Sequence, residues 1–186
     1  MSHVRTIIPL CLVLAISACG RGPEGGSDVS SPSAEQTQAE DGKDIATIRR
    51  ELGLAKRAYG LGDHFKALEH FRAAAEAGDA SAQYYTGVMY ADGQGTVRDY
   101  AEAAKWYEKA AAQNHPDALF ALARLYVFGL GVAPDAHRAV QLYEQAAEAY
   151  PPGEDRQRAE EQRLALLEVM KQEQASKESA SGQNGI

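Results

Sequence analysis

The sequence predicts an all-α fold, a solenoid of about three helix-turn-helix repeats with a C-terminal capping helix. Three observations predict it. The stretch Ala82–Gln113 lies over Ala118–Ala149 at an offset of 36 residues without a gap, with ten of 32 positions identical. A fixed period of about 20 to 50 residues marks a solenoid made by stacking one unit. Within each copy, apolar residues recur at helical spacing on both sides of a glycine-bearing turn. The whole chain has 186 residues, 45% hydrophobic and 24% charged, which fits one modest globular unit.

The N-terminus stands apart from that unit. Arg5 gives a positive start, and Thr6 to Ala18 is a short apolar segment interrupted by Pro9. The uncharged run ends at Gly20, 15 residues after Arg5, short of the roughly 18 to 20 that span a bilayer. Residues 1–18 therefore read as a signal peptide. Ile16-Ser17-Ala18-Cys19 resembles the lipobox of bacterial lipoproteins. That resemblance implies cleavage before Cys19 and acylation of its sulfur and new amino group. Two or more acyl chains give a stable anchor, where one binds only marginally. Gly20, rather than Asp, after the cysteine implies by the same resemblance the outer membrane, with the chain facing the periplasm. Cys11 leaves with the signal, so no thiol remains for a disulfide or a cysteine zinc site.

Residues 19–43 are rich in Gly, Ser, Pro, Gln and acids and read as a flexible tether. The repeat domain is expected over 44–152. In its first unit Ile45, Ile48, Leu52, Ala55 and Tyr59 follow helical spacing, and Gly60-Leu61-Gly62 breaks the helix before Asp63 caps the next. Asp63, Ala67, Phe71, Ala74 and Ala75 precede Asp99, Ala103, Tyr107, Ala110 and Ala111 by 36 residues, so its second helix is in register with the later units. In the second unit Ala82, Thr86, Met89 and Tyr90 form a buried stripe, repeated as Ala118, Leu122, Leu125 and Tyr126. Gly93 and Gly129 sit where a helix ends in a left-handed residue. Asp99 and Asp135 precede alanine-rich helices whose small residues admit close neighbours. Tyr150-Pro151-Pro152-Gly153 stops the last repeat. Residues 153–174 read as a helix capping the open end, which a solenoid needs; the alternative is a dimerising helix, for which the apolar pattern is short of a sustained heptad seam. Residues 175–186 read as a disordered tail.

The run A-Q-Y-Y-T-G-V-M-Y-A-D-G-Q-G-T-V-R-D-Y-A-E-A-A-K-W-Y-E-K-A-A resembles a Sel-one-like repeat, a cousin of the tetratricopeptide repeat, and the copy from Ala118 is similar to it. It departs at Thr86, where a leucine is usual, and at Ala123, where a glycine is. The resemblance covers roughly Ala82–Ala149. It implies an α/α superhelix that holds other proteins.

No catalytic constellation emerges. His64, His70, His115 and His137 lack an i, i+4 partner imidazole. His70 occupies the place of Trp106 and Leu142 and reads as a packing residue with a solvated tip, and His115-Pro116-Asp117 as a turn between repeats. Gly93-Gln94-Gly95 and Gly129-Leu130-Gly131 lack the strand, third glycine and lysine of a phosphate loop, so turn geometry explains them. No cofactor or metal is expected. A formal net charge of −7, one unit more negative without the signal, argues against nucleic acid. What remains is a surface: opposite the buried stripe stand Tyr84 and Val88 in one repeat and Phe120, Arg124 and Phe128 in the next. Aromatic and arginine residues lining a groove are typical interface residues, and in proteins of this resemblance the first helix of each repeat lines the concave side.

The expectation is a non-enzymatic, lipid-anchored envelope adaptor, monomeric apart from a protein partner held in that groove. Similar lipoproteins help to assemble secretion, pilus or exopolysaccharide machines. Two alternatives stand beside it. One is a hydrolase or β-lactam-binding protein related to cysteine-rich repeat proteins, whose paired cysteines this chain lacks. The other is a periplasmic regulator binding a small ligand or a receptor.

Overall fold

Every helix of the computed structural model packs on the next one in sequence, and its described residues are 34–182. They form α1 (Ala34–Gly60), α2 (His64–Glu76), α3 (Ala80–Asp92), α4 (Tyr100–Ala111), α5 (Pro116–Phe128), α6 (Ala136–Ala149) and α7 (Glu154–Gly182). The pairs α1–α2, α3–α4 and α5–α6 are the three hairpins, α2–α3 and α4–α5 join them, and α7 covers α6. This is an all-α solenoid. The proposed signal peptide and Cys19 lie outside the described residues.

Helix boundaries differ from the sequence reading at both ends. Where a tether over 19–43 is expected, α1 already begins at Ala34; where a tail over 175–186 is expected, α7 runs on to Gly182. Both extensions are polar; the first is rich in Ala, Glu and Gln, and the second, 175–182, is mainly Ser and Ala with one Lys and one Glu. Residues with good helix propensity extend an existing helix without a new nucleation cost.

The hairpins are built by the residues that repeat. Asp63, Asp99 and Asp135 cap α2, α4 and α6, each accepting from a backbone N–H of the first turn. Gly93 and Gly129 close α3 and α5 at φ 73° and 64°. The same long turn bond recurs, from Asp63 N–H to the Ala58 carbonyl, from Asp99 to Tyr90 and from Asp135 to Tyr126. These bonds set the helix register, so Ala58, Tyr90 and Tyr126 are equivalent. The first hairpin thus has a turn four residues shorter than the others, and α1 aligns with α3 at an offset of 32 rather than 36.

That register explains the core. Ala55, Gly87 and Ala123 share one position, buried against Phe71, Tyr107 and Tyr143 of the facing helix. A Cβ on Gly87 would stand 2.6 Å from the Tyr107 ring. Of the buried stripe expected in α3 and α5, Ala82, Thr86 and Met89, and Ala118, Leu122 and Leu125, face the preceding repeat with at most 5% exposure, whereas Tyr90 and Tyr126 are only half-buried. Full burial of one such leucine contributes about 2 kcal/mol. In α1 the equivalents are Arg50, Leu54 and Arg57, all exposed. A charged outer face where the interior repeats are apolar ends the stack at α1. Ile45, expected as an apolar core position, is 57% exposed.

One inter-repeat position departs from apolar packing. Glu51, Gln83 and Leu119 are equivalent and all buried. Gln83 donates to the Ala75 carbonyl at 3.1 Å and accepts from Gln113 at 2.8 Å, and Gln113 also donates to the Gly78 carbonyl. Glu51 receives Arg50 and the His70 ring, each at 2.7 Å. His70 is therefore the partner of a buried carboxylate across the first hairpin, in addition to filling the Trp106 place. These polar groups are satisfied, which keeps their burial affordable.

Candidate functional site

The five surface residues singled out in the sequence all line one groove. Tyr84 and Val88 of α3 and Phe120, Arg124 and Phe128 of α5 share a hollow of about 420 Å³. They converge because residues four apart on a helix stand on one face and α3 and α5 are stacked equivalents. The floor is the buried ring of Tyr107, with Leu125 beside it. The rim carries Asp92, Asp117 and Tyr150.

Tyr84 is fixed on both sides. Its ring stacks on His115 at a centroid distance of 5.1 Å and tilts against Tyr107 at 5.9 Å. His115 precedes Pro116 at the start of α5, and burial pushes its imidazole below the usual histidine value, so it stacks as a neutral ring near pH 7. Phe120 meets Tyr143 edge-on at 5.2 Å. Burial raises the phenols of Tyr84 and Tyr107, which stay protonated as donors. The groove is thus a prearranged aromatic wall rather than a loose surface, and such preorganisation lowers the entropy cost of binding. Val88 is half-buried, whereas Arg124 and Phe128 project outward.

Two further residues of the groove, Asp155 and Arg158, come from α7. Past them a second trough of about 450 Å³ opens between α5 and α7, reaching Leu166 and Val169. The sequence reading gave α7 a capping role, with dimerisation as the alternative. The signal was present in the spacing of Arg158, Gln162, Leu166 and Val169, a single helical stripe distinct from Ala159, which is fully buried.

No three His, Cys, Asp or Glu side chains come together in a way that could hold a metal ion among the described residues. No helix there is long and apolar enough to cross a membrane. Cys19, the expected lipid site, lies outside them.

Comparison with known proteins places the repeats. The Sel1 repeat family matches residues 51–79, 80–115 and 116–150, the three hairpins just described. The chain belongs to the Sel1 repeat family. Sel1 repeats commonly serve as protein-interaction scaffolds. Among solved structures, a Sel1 repeat protein from Oxalobacter formigenes shares 38% identity over 51% of this chain and 36% of its own, with a TM-score of 0.47. A protective antigen of uropathogenic Escherichia coli strains, displaying an SLR fold, shares 27% identity over 80% of this chain and 34% of its own, with a TM-score of 0.51. Cysteine rich protein B of Helicobacter pylori shares 20% identity over 56% of this chain and 90% of its own, with a TM-score of 0.46. This Sel1 chain spans about a third of the length of the first two. No curated protein matches it at a significant level.

Proposed function

We propose that this Sel1 repeat chain is a non-enzymatic adaptor, held at the cell envelope by a lipid on Cys19, that binds a partner protein in the groove between α3, α5 and α7. The observation that carries the reading is the convergence of Tyr84, Val88, Phe120, Arg124 and Phe128 on one preformed hollow. Phe128 is 64% exposed, and an outward aromatic beside an arginine is the composition of an interface hot spot. The lipobox-like Ile16-Ser17-Ala18-Cys19 supports the anchor, and Gly20 supports an outer-membrane position facing the periplasm. A role in assembling a secretion, pilus or exopolysaccharide machine belongs to the same proposal.

Photo-crosslinking in cells from Val88 and from Arg124 tests the groove. The same discrete adduct is expected from both sites and not from Lys105, an exposed side chain on α4; no adduct from either groove position would remove the reading. For the anchor, wild type is expected to partition into a detergent phase and Cys19→Ala into the aqueous phase.

A further inference from the structure

We infer that α7 is a wall of the binding site as well as a cap, and that the trough between α5 and α7 receives a peptide segment in which a carboxylate stands beside apolar side chains. The inference rests on the adaptor reading and specifies the chemistry of its partner. Helix α7 begins after Tyr150, beyond the last residue that the repeats match, so this wall is an addition to the repeat architecture.

The lining of the trough states what it fits. Phe120 and Phe128 of α5 face Leu166 and Val169 of α7. Phe128 and Val169 remain 64% and 49% exposed, so apolar area is left to be covered. The charged side chains of the lining are Arg124 and Arg158, and no carboxylate joins them. In a chain of formal charge −7 this is a local inversion of sign.

Neither guanidinium is committed. Arg124 has no ion-pair partner among the described residues; Asp92, Asp117 and Asp155 line the adjoining hollow that it shares with Arg158. Arg158 meets Asp155 at 3.0 Å, with the two side chains 60% and 61% exposed. Such an exposed, solvent-screened pair contributes little and is readily exchanged. Guanidinium groups bind carboxylates through paired N–H donors, more strongly where apolar neighbours exclude water. A carboxylate at the two arginines, with apolar side chains entering between Phe128 and Val169, satisfies both halves of the trough. A second copy of the chain is the competing occupant, and the test below separates it from a peptide segment by its concentration dependence.

The test selects binders from a random peptide library on the full chain immobilised in detergent, then measures the affinities of the selected peptides by fluorescence anisotropy. Selected sequences are expected to carry Asp or Glu next to Phe, Leu or Val. Their Asn and Gln counterparts are expected to bind about tenfold or more weakly, the loss of a charge-assisted hydrogen bond. Arg124→Glu together with Arg158→Glu should abolish binding and leave the thermal melt unchanged, and a lysine-bearing peptide should then recover part of the affinity. Peptides without acid preference, or binding that survives both arginine changes and Val169→Asp but is lost in Val88→Asp, would overturn this inference while leaving the adaptor reading in place. Absence of any selected binder overturns it too, and the adaptor reading falls with it only if crosslinking from Val88 also captures nothing. A concentration-dependent dimer abolished by Val169→Asp would overturn it in favour of a second copy.

Discussion

The Tyr150 hydroxyl donates to Asp117 Oδ1 across 2.6 Å, joining the residue that ends the third repeat to the first turn of α5. Burial first, and then this bond, pushes the Tyr150 phenol well above its ordinary value, so it stays a proton donor. Both residues line the groove, so the bond fixes the rim where α6 hands over to α7. Tyr150→Phe is expected to cost about 1.5 to 3 kcal/mol, the range for a hydrogen bond to a charged acceptor. Asp117→Asn should cost less, because its amide oxygen still accepts. Urea unfolding of both variants checks the order.

Glu51 makes stability depend on pH in a stated direction. The His70 hydrogen bond first, then that of Arg50, holds its carboxyl below the ordinary value of 4.5. A carboxyl depressed in the folded state contributes stability that is present above its unfolded value. That contribution is lost as pH falls through the depressed folded value. Wild type should therefore lose stability relative to Glu51→Gln as the buffer moves from pH 6 to below pH 4.5. At neutral pH Glu51→Gln should be the weaker by about 2 kcal/mol, since a buried charged acceptor is replaced. Thermal melts of both proteins across that pH range measure the crossing trend; parallel curves would refute it.

How much of this was legible in the sequence follows from separation along the chain. The Asp caps and the Gly93 and Gly129 turns are local rules, and they stand where the spacing put them. The hollow under Tyr84, Val88, Phe120, Arg124 and Phe128 was legible because the period maps one repeat's face onto the next. The Glu51–His70 pair was hidden because its members are 19 residues apart across a turn four residues shorter than the others. An offset of 36 carried back into α1 puts Glu51 out of register with Gln83. The wall formed by α7 was hidden for another reason. No repeat precedent exists for α7, and a helix with a buried side and a half-buried side resembles a plain cap until its neighbours are known.

The second glycine of each connecting turn is where stacking admits no side chain. Gly95 lies on the His64 carbonyl at the start of α2, and Gly131 on the Tyr100–Ala101 peptide at the start of α4; a Cβ on either would collide with that backbone. Their φ values of 72° and 69° add strain for any other residue. Gly95→Ala and Gly131→Ala are each expected to cost on the order of 2 to 5 kcal/mol, combining left-handed strain with overpacking. Gly153→Ala, with nothing within 4 Å of its added carbon, is the control and should be near neutral. Denaturant midpoints for the three variants decide whether the turns act through contact between repeats.

At Thr86 the core can be improved by removing an atom's polarity. It is fully buried, and its Oγ1 has no hydrogen-bond partner among the described residues. Its equivalent in the third repeat is Leu122, also buried, so the site tolerates an apolar side chain. A buried hydroxyl without a partner costs about 1 to 3 kcal/mol of desolvation. Thr86→Val keeps the shape and the β-branch while replacing the hydroxyl by a methyl group. It should raise stability by about 1 kcal/mol, the gain offset in part by the tight fit of the added carbon. Thr86→Ser, which keeps the hydroxyl and removes the methyl, should lower it. Opposite signs for these two substitutions in urea unfolding would establish that the hydroxyl, and not the size of the side chain, is the liability; a loss in both would mean that the hydroxyl finds a partner in solution.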